Sequence, residues 1–415
     1  MADSRVSDTA LAASDPAREG ELYDRMEELR RRRPPMILSA PSYESERKTE
    51  IARAVQAIGG ILGVISAHSD VMKGDAGHGP GHWCRDFAHS LRLAHDPEIP
   101  SFAVFTGMLA GTLHDIGTLF VDRYADRERA VRHAEVGALI IRDAAREAGV
   151  MTDAEADAVA YGIAAHTHYL QEQKVRCKDG VERMVKPFPD TVEGKPVPEV
   201  WFPRWADRLD CNGPCFVGRH YLTVHRDHHD FGKEGFYAVS FADHLQLRNR
   251  TPEEIKAAQG KPPRSMLEHC KMFGDSQTNA SPYGVHDHGL MRALRDEYRA
   301  SLDHILQRVV HPTDVRLDRV FEAWTIFLGT NIEPSTLGRV AAVELSLGFA
   351  RLEPAVQRAW ACGFRATMTE YLAWSDRMLA FLNGLPASHL SLPGLFPDIR
   401  QVIAPDPAWL AVLTA

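Results

Sequence analysis

The chain has 415 residues, which exceeds the size at which one hydrophobic core usually stops growing, so we expect one large domain with appendages or two domains. Its 44% hydrophobic and 25% charged residues are those of an ordinary soluble globular protein, and its formal net charge of -8 argues against a general nucleic-acid surface and against an anionic membrane surface. Six cysteines in a chain of this length do not indicate a disulfide scaffold, so a reducing compartment is the default.

The N-terminal segment 1–45 is predicted to be a partly disordered arm, with a mobile start and a short charged helix near 18–32. Pro34, Pro35 and Pro41 break helical continuity at its end. The segment lacks the apolar central region of a secretory signal, and no apolar stretch of the sequence reaches bilayer-spanning length. We therefore expect a cytoplasmic protein.

Helical patterning begins at about Glu46 and predicts a helical domain over 46–215. A glycine-rich loop over 74–81 leads directly into His82 and a helix to about His95. Further helices are predicted near 101–115, 127–147 and 153–168, and Thr152-Asp-Ala-Glu155 has the spacing of a capping box that opens the last of them. A loop is predicted over 174–200, with a short hairpin over 181–185, before a helix resumes across 201–209.

The helix near 101–115 ends in adjacent histidine and aspartate, His114-Asp115, followed by a chain-turning glycine. His-Asp pairs also occur at positions 95, 229 and 286, but only this copy ends an apolar helix, whose face is formed by Phe102, Phe105, Leu109 and Leu113. A rigid helix end that projects an imidazole and a carboxylate together can offer both to one cation.

Helical phase selects further histidines that point inward. His166 follows Val159 and Ile163 on the apolar stripe of its helix, whereas His168 lies about 200° around and faces elsewhere. His133 shares its stripe with Ala130, Gly137, Ile140 and Ala144, and these small residues allow close approach of another backbone.

The first helix after the glycine-rich loop offers two histidines, His82 at its start and His89 two turns later on the same face. We prefer His82, because a helix end that meets a loop can open to substrate, but either histidine can reach the site. Burying several imidazoles together with Asp115 is costly without a partner charge, and a bound cation relieves that cost. The pattern therefore predicts a metal site.

These residues resemble the HD-domain superfamily, whose pattern is a histidine, a later His-Asp pair and a distal aspartate. The matching positions are His82, His114, Asp115 and Asp207, and the resemblance covers about residues 78–212. The segment 205–210 is similar to the closing segment of that superfamily, which leaves Asp210 as the alternative to Asp207. The additional histidines, His133 and His166, resemble the subset that holds two metals.

The resemblance implies an all-α helical bundle with two divalent metal ions in a central cleft, drawn from Fe, Mn, Mg, Co, Ni and Zn. It implies His82, His114, Asp115, His133, His166 and Asp207 as the ligands, with Asp115 bridging the two ions. A small anionic, phosphorylated substrate then needs cations, and we assign catalytic roles to Asp115, Arg85 and Arg132, with Arg208 as a further arginine of the clamp. Glu135 is a candidate partner of a ligand.

The sequence also departs from the superfamily. Thr118 stands where many binuclear members have lysine, and Lys73 is the only lysine between Glu50 and Gln173. No Gly-Tyr-Pro follows His166, which argues against the cyclic-di-GMP phosphodiesterase branch. Position 86, apolar as a rule in the first motif, is Asp86.

The remainder is divided into an irregular histidine-rich segment over 216–289, predicted to be a lid or wall of the cleft, and a C-terminal helical region over 290–415. The histidines at 220–230 and 286–288 fit no standard metal module. Cys211 and Cys215 flank Asn-Gly-Pro, but no second cysteine pair completes a zinc site, so we interpret them as ordinary thiols.

Three functions from different classes fit this pattern. The first is a metal-dependent phosphohydrolase that acts on a nucleotide or another small phosphate ester through metal-activated water. The second is a mixed-valent di-iron oxygenase of the same superfamily that cleaves a C–C or C–P bond with dioxygen. The third is a non-catalytic regulatory protein that binds a ligand at this site, with the C-terminal helices as a partner or homodimer surface.

Overall fold

A computed structural model describes residues 5–32, 44–121, 133–167, 172–176, 179–189, 191–192, 195–227, 267, 270, 288–310 and 315–415. Helices dominate these ranges, and the strands are confined to two short hairpins, which confirms the predicted all-α class. Within the described residues, no helix combines the length and the apolar character needed to cross a bilayer.

The elements follow one another in chain order. The helices are α1 Arg5–Ser14, α2 Glu19–Arg31, α3 Glu44–Ser66, α4 Pro80–Ala94, α5 Phe102–Leu113, α6 His133–Ala148, α7 Asp153–Ala165, α8 Pro198–Asp210, α9 Gly213–Asp227, α10 Gly289–Val310, α11 Leu317–Phe327, α12 Thr336–Phe349, α13 Pro354–Leu382, α14 Arg400–Ile403 and α15 Pro407–Thr414. The strands are β1 Gln173–Arg176, β2 Glu182–Val185, β3 Thr191–Val192 and β4 Lys195–Pro196.

The chain divides into two compact units. The first unit comprises residues 1–207 and 381–401, and the second comprises residues 208–380 and 402–415. The four-segment division inferred from composition and patterning stays a prediction.

The core of the first unit is made of α3, α4, α5, α6 and α7. Helix α6 packs on α7 and α3, and α5 packs on α3, α4 and α7. Every residue of α5 after Phe102 is buried, because the helix is largely apolar on every face. The predicted capping box at the start of α7 is present: Thr152 Oγ1 accepts from the Glu155 amide and the Glu155 carboxylate accepts from the Thr152 amide.

Two helices form the described part of the N-terminal segment: α1, and α2 at the position of the charged helix predicted near 18–32, while the partly disordered arm stays a prediction. Helix α1 packs on α6, where the Thr9 hydroxyl donates to Asp143 Oδ2 at 2.6 Å. Arg25 of α2 forms an ion pair with the same carboxylate oxygen at 2.6 Å. Val6, Ala12 and Ala13 are buried on α1, and such small apolar residues carry little hydrophobic signal in the sequence alone.

The loop predicted over 174–200 contains more strand than expected. Strands β1 and β2 pair antiparallel, with Gln173 opposite Val185 and Arg176 opposite Glu182. Strands β3 and β4 form a second, two-residue ladder. The following helix, predicted across 201–209, begins three residues earlier, at Pro198.

The second unit is built around an aromatic core. Trp324 of α11 stacks on Phe364 of α13 with ring centroids 4.2 Å apart, and Tyr221 of α9 lies edge-on to both rings. Helix α9 packs on α10 and α12, and α11 packs on α12 and α15. Helices α11, α12 and α13 lie within the C-terminal region over 290–415 that the sequence predicts to be helical.

Candidate metal centre

His82 lies in the first turn of α4, which begins with Pro80 at its first position. Proline fits there because the first helical residues have no intrahelical acceptor for an amide hydrogen. The side chain is completely buried, and its Nε2 lies 3.3 Å from His114 Nε2 and 3.2 Å from Asp115 Oδ2. The start of α4 thus delivers an imidazole to the end of α5.

His114 and Asp115 follow the last residue of α5 and lead into a 3₁₀ turn over Ile116–Leu119. His114 Nδ1 lies 2.9 Å from the Gly111 carbonyl oxygen. A carbonyl oxygen only accepts, so Nδ1 carries the proton and the Nε2 lone pair of the neutral ring faces the site. The Thr118 amide and hydroxyl both donate to the Asp115 carbonyl oxygen, at 3.0 and 2.8 Å, and hold the turn closed.

His133 opens α6 and approaches the other oxygen of the same carboxylate. Its Nε2 lies 2.9 Å from Asp115 Oδ1. The approach depends on two glycines: a Cβ atom on Gly117 would lie 1.9 Å from the His133 carbonyl oxygen, and one on Gly137 would lie 2.9 Å from the Gly117 nitrogen. The close backbone approach expected from the small residues around His133 is therefore present.

His166 follows the last residue of α7 and is anchored in the same way as His114. Its Nδ1 lies 2.7 Å from the Ile163 carbonyl oxygen, which leaves Nε2 to face Asp115 Oδ1 at 3.8 Å. The His166 ring lies 4.6 Å from that of His114 and 5.4 Å from that of His133, centroid to centroid. His168, the alternative, lies outside the described residues.

Asp115 stands between two pairs of histidines. The group of His82, His114 and Asp115 and the group of Asp115, His133 and His166 each place one ligand atom per residue within 4.8 Å of one another. Oδ2 faces the first pair and Oδ1 faces the second. We call these five residues the His/Asp cluster.

Asp207 lies at the edge of the His/Asp cluster. Its Oδ1 is 3.7 Å from Nε2 of His82 and 3.7 Å from Nε2 of His114. Asp210, the alternative, belongs to the second unit, where its carboxylate lies 3.7 Å from Arg219. His89 is buried two turns beyond His82 and belongs to none of the ligand-atom groups found in the described part of the chain.

The buried charged groups of the His/Asp cluster shift one another's pKa values. Burial lowers the pKa of His114, but the carboxylates of Asp115, Asp207 and Asp86 raise it to about 9. Burial raises the pKa of Asp115, but the nearby imidazoles of His114, His133 and His82 bring it well below its ordinary value. Burial and the neighbouring His114 and His133 hold the pKa of His166 well below its ordinary value.

Of the arginines expected to bind the substrate, Arg85 and Arg208 lie within the described residues. Arg85 is buried on α4, three residues after His82, whereas Arg132 lies outside the described residues. Arg208 is buried and belongs to the second unit, and Glu135 is buried near the start of α6. Catalytic roles for Arg85 and Arg132 stay predictions.

The histidine-rich segment over 216–289 falls mostly outside the described residues, so its role as a lid stays a prediction. The described His220 is buried on α9. Cys211 and Cys215 are buried thiols, and Cys211 Sγ lies 3.3 Å from Arg219 Nη1. Neither cysteine belongs to a ligand group found among the described side chains.

Asp86, which the sequence pattern shows only as a departure from the superfamily, lies beside the His/Asp cluster. Its completely buried carboxylate places Oδ2 2.9 Å from His82 Nε2 and 3.8 Å from His114 Nδ1. The available signal was its spacing: residues four apart on a helix share a face, so Asp86 lies one turn above His82.

The donor set fits divalent transition metals. Four buried imidazoles and a shared carboxylate are the ligand types that Mn, Fe, Co, Ni and Zn accept. The carbonyl bonds of His114 and His166 fix their rings as they do in protein metal sites, where the nitrogen opposite the metal donates to a carbonyl or carboxylate. The residues that would hold the ions are the His/Asp cluster and Asp207.

Comparison with known proteins agrees with this geometry. Residues 82–210 match the family model of the HD domain, and the match begins at His82 and includes every residue of the His/Asp cluster. The match confirms the resemblance inferred from the sequence, and members of this domain family are generally metal-dependent hydrolases. No curated protein and no solved structure gives a significant match to the chain.

Proposed function

We propose that this HD-domain protein is a metal-dependent phosphohydrolase that acts on a nucleotide or another small phosphate ester. The observation that carries the proposal is the placement of Asp115, whose two carboxylate oxygens face two different pairs of histidines. A carboxylate divided in this way suits a pair of cations better than one, because each oxygen has its own set of neighbouring nitrogen donors.

Each part of the site has a distinct task. His82 and His114 supply nitrogen donors on the Oδ2 side of Asp115, and His133 and His166 supply them on the Oδ1 side. Bound divalent cations would supply Lewis-acid stabilisation of a phosphoryl group and lower the pKa of a water molecule. The carbonyl bonds to His114 Nδ1 and His166 Nδ1 keep the two rings oriented before any ion arrives.

Charge favours an anionic substrate. Asp115, Asp207 and Asp86 contribute three negative charges to the site, and two divalent cations would still leave it positive, which favours phosphate oxygens. Arg85, buried three residues after His82, is our candidate for a bidentate contact to the phosphate, and Arg132 is the second.

The test compares metal-loaded wild type with His114→Ala on a panel of nucleotides and small phosphate esters. Release of phosphate or monophosphate by the wild type and at least a hundredfold loss in His114→Ala are expected, because that substitution removes a ligand of a catalytic ion. His304→Ala, which changes an exposed histidine of α10, is the matched control and keeps wild-type activity.

The same assay separates the proposal from the oxygenase of the same superfamily. A hydrolase turns over anaerobically with Mn²⁺ or Mg²⁺. Turnover that requires iron and consumes dioxygen, with an electron paramagnetic resonance signal on partial oxidation, would overturn the proposal in favour of C–C or C–P cleavage. Absence of any product together with tight nucleotide binding would instead favour a regulatory role.

A further inference from the structure

We propose that Asp86 is an additional ligand of the metal ion on the His82 side, an inference that rests on the proposed metal centre. Asp86 and His82 lie one turn apart on α4, and both side chains are completely buried. Burying a carboxylate in the protein interior is costly unless a positive charge lies beside it.

The contact is made at the nitrogen that faces the site. Asp86 Oδ2 lies 2.9 Å from His82 Nε2, and that same nitrogen lies 3.2 Å from Asp115 Oδ2 and 3.3 Å from His114 Nε2. A carboxylate that merely orients a metal-binding histidine contacts the opposite ring nitrogen. Asp86 therefore stands among the donor atoms and not behind them.

Asp86 makes the two sides of the centre chemically unequal. The His82 side has the carboxylates of Asp86 and Asp115 with that of Asp207 at its edge, whereas Asp115 supplies the carboxylate on the His133 side. Oxygen-rich sites favour Mg²⁺, Mn²⁺ and Fe²⁺, and imidazole-rich sites suit Zn²⁺ and other nitrogen-seeking ions. The His82 side is therefore expected to select a harder cation than the His133 side.

The competing explanation is a structural ion pair between Asp86 and a protonated His82. The two explanations predict different effects of added metal. An ion pair makes Asp86→Asn less stable by the same amount with and without metal, whereas a ligand role makes the loss of stability larger when metal is bound.

The experiment measures Mn²⁺ binding by calorimetry and thermal melting with and without Mn²⁺, in wild type and Asp86→Asn. We expect Asp86→Asn to bind the more tightly held Mn²⁺ ion about tenfold more weakly than the wild type does. Added Mn²⁺ should also raise the Tm of the variant by less than it raises that of the wild type. Asp143→Asn is the matched control: it removes another buried carboxylate, paired with Arg25, and should lower Tm equally in both conditions while leaving Mn²⁺ affinity intact.

The failures are distinguishable. If wild type binds no metal, the proposed function itself fails. If wild type binds two ions and Asp86→Asn binds them with unchanged affinity and unchanged preference for Mn²⁺ over Zn²⁺, only the assignment of Asp86 fails.

A separate observation concerns α12, which exposes an apolar stripe. Among the described residues, seven large hydrophobic side chains are exposed, and four of them lie on this one helix. They are Leu337, Val340, Val343 and Leu347, each between 49% and 58% exposed. We infer that α12 pairs in parallel with α12 of a second copy of this chain.

The spacing of the stripe is that of a coiled-coil seam. Three of the four, Val340, Val343 and Leu347, alternate with Thr336 and Ala350 at steps of four and three residues along α12 and its C-cap, and Leu337 lies beside this seam. The opposite face of α12 packs within its own unit through buried Ala341, Ala342 and Leu345. The helix is thus apolar on two faces, only one of which is covered within the described residues.

Two charged residues favour a parallel arrangement. Arg339 and Glu344 are exposed on opposite rims of the stripe and lie five residues apart. In a parallel pair, such positions on the two helices face each other, so Arg339 meets Glu344 of the copy twice by symmetry. In an antiparallel pair, the rim that carries Arg339 faces the Arg339 rim of the copy, so Arg339 does not meet Glu344.

The seam spans only two heptads, so the area that it buries is small compared with the roughly 800 Å² per partner of a standard interface. The dimer is therefore expected to be weak, with a Kd on the order of micromolar or higher.

The experiment is analytical ultracentrifugation of the full chain across concentrations. Val340→Glu combined with Leu347→Glu should abolish dimer formation without unfolding, since both side chains are exposed. Leu11→Glu, which changes an exposed leucine of α1, is the control and should leave the dimer intact.

Charge exchange tests the orientation. Arg339→Glu alone and Glu344→Arg alone should each weaken the dimer, by about two- to thirtyfold for the two symmetry-related pairs, and the double exchange should restore it. A wild-type chain that stays monomeric at high concentration overturns the proposal, and a dimer indifferent to the exchange overturns the parallel pairing.

Discussion

Asp115 Oδ1 lies 2.9 Å from His133 Nε2, and this contact joins the end of one buried helix to the start of the next described one. It exists because Gly117, in the turn after Asp115, lies directly against the backbone of α6. The position of His133, a candidate metal ligand, therefore depends on the close backbone contact between two glycines, Gly117 and Gly137.

Gly117→Ala is expected to disturb this contact. The added Cβ would lie 1.9 Å from the His133 carbonyl oxygen, so the turn and α6 must separate, at a cost of about 1–3 kcal/mol. Urea denaturation measures the cost, and metal analysis should show loss of the ion on the His133 side. Gly63→Ala is the matched control, because a Cβ there meets nothing within 4 Å and alanine favours the helix. Equal effects of the two substitutions would contradict the explanation.

His133→Ala and Asp115→Asn should differ in metal stoichiometry. His133 faces only one oxygen of Asp115, so its removal should leave about one ion per chain, whereas loss of the shared carboxylate weakens both positions. Elemental analysis after dialysis gives the ratio. One ion retained by Asp115→Asn, with full affinity, would argue against a bridging carboxylate.

Metal binding should release protons at neutral pH. The pKa of His114 is raised to about 9 in the metal-free arrangement, so the ring is protonated at pH 7 and must lose a proton to offer Nε2. Affinity should rise about tenfold per pH unit between pH 7 and 9 for this one proton. Calorimetry in two buffers of different ionisation enthalpy counts the protons, and His114→Gln should reduce the count.

The same group affects the stability of the metal-free protein. Because the folded pKa of His114 lies above its unfolded value, its contribution is fully present below pH 6.5 and is lost as pH rises through about 9. Unfolding in chelator across this range measures the loss. His114→Gln should flatten that part of the profile.

Glu199 should make stability fall with rising pH. Burial in the first turn of α8 raises the pKa of its carboxyl above 4.5, so the folded state holds the proton longer than the unfolded state. Unfolding free energy should decrease as pH rises from 4.5 through the raised pKa. Glu199→Gln should be more stable than wild type above that range, while Glu182→Gln, at an exposed strand position, should change nothing.

Much of the first unit was predictable from local patterns. The spacing of apolar residues predicted α5 and α7, the Thr152-to-Glu155 spacing predicted the cap of α7, and helical phase chose His166, whose Nε2 does face Asp115. Such inferences succeed because the period of a helix and the chemistry of its ends are properties of a few consecutive residues. Ligand roles for these residues stay predictions until metal is measured.

Local sequence patterns were sufficient to predict the helical class, the HD-domain resemblance and the residue types available to a metal. They could not predict that Asp115 lies between two histidine pairs, that Asp86 Oδ2 lies 2.9 Å from His82 Nε2, or that α12 exposes an apolar face. Helical phase fixes the direction of a side chain relative to its own axis, but the distance between atoms on different helices depends on how closely their backbones pack.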